Sequence, residues 1–105
     1  MTDLPIVGFI GLSAALLAVG VFGILTRRNF ILLLIAIEIS MNAAILNFVY
    51  FAGFRGGTSG LTGQSIAVVL IGFAATEVAV GLGIVLALNR LKGTINVAQA
   101  TELKL

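Results

Sequence analysis

The 105-residue chain has no cysteine, no histidine and no tryptophan, and it carries one tyrosine. The missing thiols and imidazoles exclude disulfides, thiolate-held iron–sulfur clusters, c-type haem attachment and imidazole-ligated metal sites on this chain. Charge is scarce as well: six basic and four acidic side chains make up 10% of the residues, against 60% that are hydrophobic. An ordinary soluble domain is about a quarter charged, so a water-facing globular fold is excluded, and the mean hydropathy of +1.23 agrees. The net charge of +2 does not indicate nucleic acid, because the basic residues are scattered and have no aromatic residues interleaved among them.

What is present is three long apolar runs, roughly Leu4 to Leu25, Phe30 to Phe51 and Ile66 to Leu88. A helix of about 22 residues rises about 33 Å and crosses the hydrocarbon core, which is about 30 Å thick. In lipid a helix satisfies its own backbone. The expected fold class is therefore an all-α integral membrane protein with three transmembrane helices forming one domain, residues 1–105. The flank of the first run lacks a basic segment, which predicts a retained span and not a cleaved signal peptide. Residues 26–29 form a short turn, and residues 53–64, with five glycines, read as a flexible external loop. Residues 89–105 read as a polar tail. Arg27, Arg28, Arg90, Lys92 and Lys104 fall on one side of this arrangement and Arg55 on the other. The positive-inside rule then puts the 26–29 turn and the C-terminus in the cytoplasm and the N-terminus outside.

Two charges do not fit the pattern of apolar runs with charged ends. Glu38 lies about 12 Å into the second run and Glu77 about 16 Å into the third, counted from the cytoplasmic side at helical rise. A charge at that depth costs about 2.5–3.5 kcal/mol on insertion scales. Such groups serve ion or proton handling unless they are paired, and no Lys or Arg lies within these runs. Asn42, one turn beyond Glu38, is on its face and is a candidate supporting donor. Ser40 and Asn47 lie on roughly the opposite face, so the second helix is expected to have protein on more than one side. Two small-residue stripes, Gly8-Gly11-Ala15-Ala18 and Gly72-Thr76-Ala79-Gly83-Ala87, are expected to serve helix packing. The residues alone leave a second reading open, in which both glutamates are neutral, hydrogen-bonded and inert, and fix helix register.

Several short motifs carry a resemblance: Gly23-Ile24-Leu25-Thr26-Arg27-Arg28-Asn29, Ile37-Glu38-Ile39-Ser40-Met41-Asn42-Ala43-Ala44, Gly63-Gln64, Ala74-Ala75-Thr76-Glu77-Val78-Ala79-Val80-Gly81-Leu82 and the closing Glu102-Leu103-Lys104-Leu105. At this spacing the set resembles the subunit K family of proton-pumping NADH:quinone oxidoreductases, over essentially the whole chain. The resemblance implies a membrane-arm subunit in an obligate hetero-oligomer, between a J-type and an antiporter-like N-type neighbour, and it admits an A-type neighbour. It implies that Glu38 and Glu77 are proton-relay residues in a mid-membrane chain of ionisable groups, with Arg27 and Arg28 supporting coupled activity. NADH, FMN, iron–sulfur clusters and quinone would be handled by other subunits, with no cofactor on this chain, in the plasma membrane or an equivalent energy-transducing membrane. Ser40 and Thr76 depart from the family's usual apolar residue and alanine.

Related three-span subunits of cation/proton antiporters or membrane-bound hydrogenases share this pattern and stand as the alternative. A small multidrug exporter has four spans and an aromatic pocket, and a rotor-ring proteolipid is a two-helix hairpin with one carboxylate. Both fail on the count of spans or sites.

Overall fold

The computed structural model describes residues 3–55, 57–93 and 95–100. Three long helices and one short one follow in order: α1 (Asp3–Thr26), α2 (Phe30–Arg55), α3 (Gly57–Lys92) and α4 (Val97–Ala100). The first three are long and apolar enough to cross a membrane. Apolar side chains are spread around each of them, and large ones such as Phe22, Val68, Phe73 and Leu86 stand exposed on the isolated chain.

The helices lie side by side in one layer, 57 × 25 × 15 Å. α2 is in the middle, and α1 and α3 pack on it from either side. Packing between helices in lipid depends on close approach, because the lipid is as apolar as the side chains. The buried positions are accordingly small. Ala36, Ala43, Ala52, Ala67 and Ala74 line the two interfaces, with Ser13, Ile45, Tyr50 and Val85 among them. At the N-terminal end of α1, Phe9 stacks on Tyr50 with ring centroids 4.2 Å apart.

The segment 53–64, read from its glycines as a loop, is helical on both sides of residue 56. Glycine weakens a helix by about 1 kcal/mol relative to alanine without forbidding one. The Thr62 and Ser65 hydroxyls donate to the carbonyls of Thr58 and Leu61, so this polar stretch also satisfies its own side chains. Gly57, at φ +54°, makes the reversal between α2 and α3. α3 consequently begins nine residues before Ile66 and runs past Leu88 to Lys92.

The expected packing stripes are not used within the chain. Gly8, Gly11, Gly72 and Gly83 have open space where a Cβ would stand, and Ala15, Ala18, Thr76, Ala79 and Ala87 are exposed. The close approaches fall instead at Gly20, Gly23, Gly63 and Gly81. Periodicity identified small faces, but it could not say which of several faces meets a neighbour from the same chain.

Candidate functional site: two carboxylates in one layer

Two contacts mark the register of α3 on α2. Gly81 lies against the Leu34 side chain, and a Cβ on Gly63 would stand 2.6 Å from the Cβ of Ala52. Leu34 and Ala52 are as far apart along α2 as Gly63 and Gly81 are along α3, so the two antiparallel helices keep step over that whole length. Glu38 is four residues after Leu34, and Glu77 is four residues before Gly81. Both carboxylates are therefore just over one helical turn, about 6 Å, from the same contact and in the same direction. They occupy one level.

α1 comes closest to α2 at that level too. Gly20 sits against Ser40 and Ala36, the residues two positions either side of Glu38; a Cβ there would lie 2.9 Å from both the Ala36 carbonyl oxygen and the Ser40 nitrogen. The Ser40 hydroxyl donates to the Ala36 carbonyl at 3.0 Å, which keeps its polarity inside α2.

Glu38 is half-buried and Glu77 is exposed on the flank of the isolated chain. Among the described residues, neither takes part in a hydrogen bond or ion pair. Asn42 is exposed, and the donor role expected of it toward Glu38 is not seen: the two share a face without being bonded. Asn47, by contrast, faces α1. Its Nδ2 donates to the Ser13 Oγ at 2.7 Å, and Ser13 donates in turn to the Ala43 carbonyl at 3.0 Å. Protein flanks α2 on two sides, and Ser40 and Asn47 belong to the α1 side.

Arg27 and Arg28 are exposed in the α1–α2 turn. Arg90 and Lys92, in the last turn of α3, lie at the same end of the layer. The turn is tightly built. Arg27 N–H donates to the Gly23 carbonyl at 3.0 Å, and the Asn29 Oδ1 caps α2 by accepting from Ile31 N–H at 2.9 Å. Residues after α3 then fold back onto it: Phe30 N–H donates to the Ile95 carbonyl and Val97 N–H to the Arg28 carbonyl, at 2.9 and 2.7 Å. Sequence reading missed Ser13, Gly20 and this return of the tail. Ser13 was detectable as the one serine in the first apolar run, and Asn96 repeats the capping pattern of Asn29.

The class these features define is a membrane-embedded helical subunit with one intramembrane carboxylate on each of two adjoining helices. Residues 9–105 match the family model described as NADH-ubiquinone/plastoquinone oxidoreductase chain 4L. NADH-quinone oxidoreductase subunit K of Anaeromyxobacter sp. (strain K) is 40% identical over 100 residues, covering 95% of this chain and 98% of that protein. The subunit K proteins of Bacillus anthracis and Thermomicrobium roseum are 40% and 39% identical over 104 residues, covering 99% of each chain in both comparisons. The chain belongs to this family, subunit K of NADH-quinone oxidoreductase, and so is one subunit of a multi-subunit membrane oxidoreductase.

Proposed function

We propose that this subunit supplies Glu38 and Glu77 to a mid-membrane path along which an NADH-quinone oxidoreductase moves protons. The observation that carries the reading is their shared level: two carboxylates, on adjoining helices, at equal steps from the Leu34–Gly81 contact. A carboxylate with no partner in its own chain is costly at hydrocarbon depth, and intramembrane carboxylates are characteristic of proton relays. A membrane potential of 100 mV acts on one charge with about 2.3 kcal/mol, so relocating a proton at this depth couples to the potential.

Glu77, on the flank of α3, faces outward from this chain, so its counterpart belongs to an adjoining subunit. A J-type and an antiporter-like N-type subunit are the neighbours we assign, with an A-type subunit also admitted. Arg27 and Arg28 lie in the turn leading into α2 and, with Arg90 and Lys92, support a cytoplasmic location for that end under the positive-inside rule. The electron carriers belong to other subunits, because this chain offers neither thiolate nor imidazole. The membrane is the energy-transducing plasma membrane or its equivalent.

The direct test is Glu38→Gln in the assembled oxidoreductase, with quinone reduction and proton uptake measured in the same vesicles. A positioned side chain contributes about 10²–10⁴-fold to proton transfer, so proton translocation should fall at least about tenfold while the complex still assembles. Undiminished translocation in this variant sinks the relay role of Glu38.

A further inference from the structure

α3 is held against α2 by a smooth surface. The buried residues between them are Ala52, Ala67, Ala74 and Val85, with Gly63 and Gly81 at the closest points. Among the described residues, the side-chain hydrogen bonds between long helices, those of Ser13 and Asn47, join α1 to α2, and none joins α2 to α3. Apolar contacts between small side chains discriminate weakly between neighbouring registers. Slipping by one residue moves Glu77 about 1.5 Å along the axis and rotates it about 100°.

Apart from the covalent turn at Gly57, one directional attachment is seen among the described residues, at the arginine end. α3 stops at Gly93, whose φ of +64° and N–H bond to the Asn89 carbonyl at 2.8 Å form the left-handed glycine stop. The chain then pairs antiparallel with the α1–α2 turn, Asn96 opposite Asn29. The hydrogen bonds Phe30 N–H to Ile95 carbonyl and Val97 N–H to Arg28 carbonyl flank that pair. The two segments mirror each other in chemistry as well. Asn29 Oδ1 caps α2, and Asn96 Oδ1 caps α4 by accepting from Ala98 N–H at 2.9 Å.

We infer that residues Ile95–Val97 act as a strap that sets the axial register of α3 on α2, and so keeps Glu77 level with Glu38 while anchoring the Arg27–Arg28 turn. Val97 is the positioning residue, through its backbone N–H. The strap joins the start of α2, eight residues before Glu38, to the chain just past the end of α3. It thereby closes the layer at one end with bonds that have a fixed geometry. Its functional consequence rests on the relay reading of the two carboxylates; its geometric content does not.

The tests use the assembled oxidoreductase in native membrane vesicles. Asn29 and Asn96 form the non-hydrogen-bonded kind of antiparallel pair, with Cα atoms about 4.5 Å apart, inside the range a disulfide spans. The chain has no cysteine of its own, so the pair Asn29→Cys/Asn96→Cys gives a clean link within the subunit. Mild oxidation should join the two peptides nearly completely, and failure to join them overturns the strap. Val97→Pro is the selective disruption: proline suits the first position of α4 and removes only the N–H that Arg28 accepts. Register is then read by Leu34→Cys/Gly81→Cys, whose disulfide formation should slow several-fold when Val97→Pro is added and stay unchanged with Val97→Ala. An unchanged rate with Val97→Pro overturns the register claim, whatever happens to pumping. Should Val97→Pro block assembly, Asn96→Ala against the cap-preserving Asn96→Asp carries the same comparison. Proton translocation should fall with Val97→Pro and hold with Val97→Ala. If both disulfide results hold while Glu38→Gln pumps normally, the strap stands and the relay reading fails.

Discussion

Glu38 and Glu77 stand at one level of the helix layer, each just over one turn from the contact between Leu34 and Gly81. Any step that changes the register of α3 on α2 changes the position of one carboxylate relative to the other. Glu38 is half-buried, and Glu77 is exposed on the flank of the isolated chain.

Placement of both carboxylates on one proposed proton path predicts non-additivity. Glu77→Gln and Glu38→Gln should each reduce proton translocation at least about tenfold, and the double variant should be no worse than the more severe single one. Groups acting as one unit behave this way. Parallel measurements of quinone reduction and proton uptake in vesicles check it, and losses that multiply in the double variant would show two independent sites.

Much of the fold could be read in the residues, for physical reasons that also mark where the reading stopped. Three apolar runs of crossing length leave a chain in lipid little choice, and the similar depths of Glu38 and Glu77 follow from helical rise. Their common level needed Gly81 on Leu34, a contact that no spacing rule supplies. Asn42 illustrates the limit: four residues of separation put it on the face of Glu38, but a shared face does not set the rotamers that a hydrogen bond requires. The 53–64 segment, read as a loop, is helical on both sides of residue 56, because a glycine's cost in a helix, about 1 kcal/mol, is a bias and not a bar. Asn96 meeting Asn29 joins residues far apart in the chain, and periodicity within single helices has no access to such pairs.

The distribution of Lys and Arg predicts an orientation that labelling checks. Thr26 and Ser59 are both exposed at opposite ends of the layer, and the chain has no native cysteine. In right-side-out vesicles a membrane-impermeant maleimide should label Ser59→Cys and leave Thr26→Cys unmodified, and inverted vesicles should reverse the pattern. The opposite result inverts the topology.

Ser13 and Asn47 make a prediction in which the smaller change does more harm. Ser13→Ala leaves the Asn47 amide, bonded to Ser13 Oγ at 2.7 Å, without that partner, and stranding a buried polar group costs about 1–3 kcal/mol. Asn47→Leu removes the amide altogether, while Ser13 keeps its bond to the Ala43 carbonyl. Thermal stability of the purified complex should therefore drop more for Ser13→Ala than for Asn47→Leu, and Ser13→Ala/Asn47→Leu should lie close to the unmodified protein.

Gly20 and Gly23 both let α1 approach α2, yet their substitutions should respond differently to a compensating change. A Cβ at Gly23 would stand 2.7 Å from the Cβ of Ala36, and nothing else lies closer than 3.8 Å. Removing that one atom with Ala36→Gly should restore most of the stability lost in Gly23→Ala, less about 1 kcal/mol for a glycine inside a helix. At Gly20 the obstacles include the Ala36 carbonyl oxygen and the Ser40 nitrogen, both at 2.9 Å, besides the Ser40 hydroxyl. Ser40→Ala clears the hydroxyl and leaves the backbone where it is. Gly20→Ala should cost about 1–3 kcal/mol, the usual range for overpacking, and Gly20→Ala/Ser40→Ala should recover only part of it. Because this crossing is level with Glu38, the helix displacement should also lower proton translocation, whereas Gly23→Ala/Ala36→Gly should pump normally. Melting temperatures and proton uptake of the four variants decide the matter, and full recovery by Ser40→Ala would show that the backbone approach at Gly20 is not the constraint.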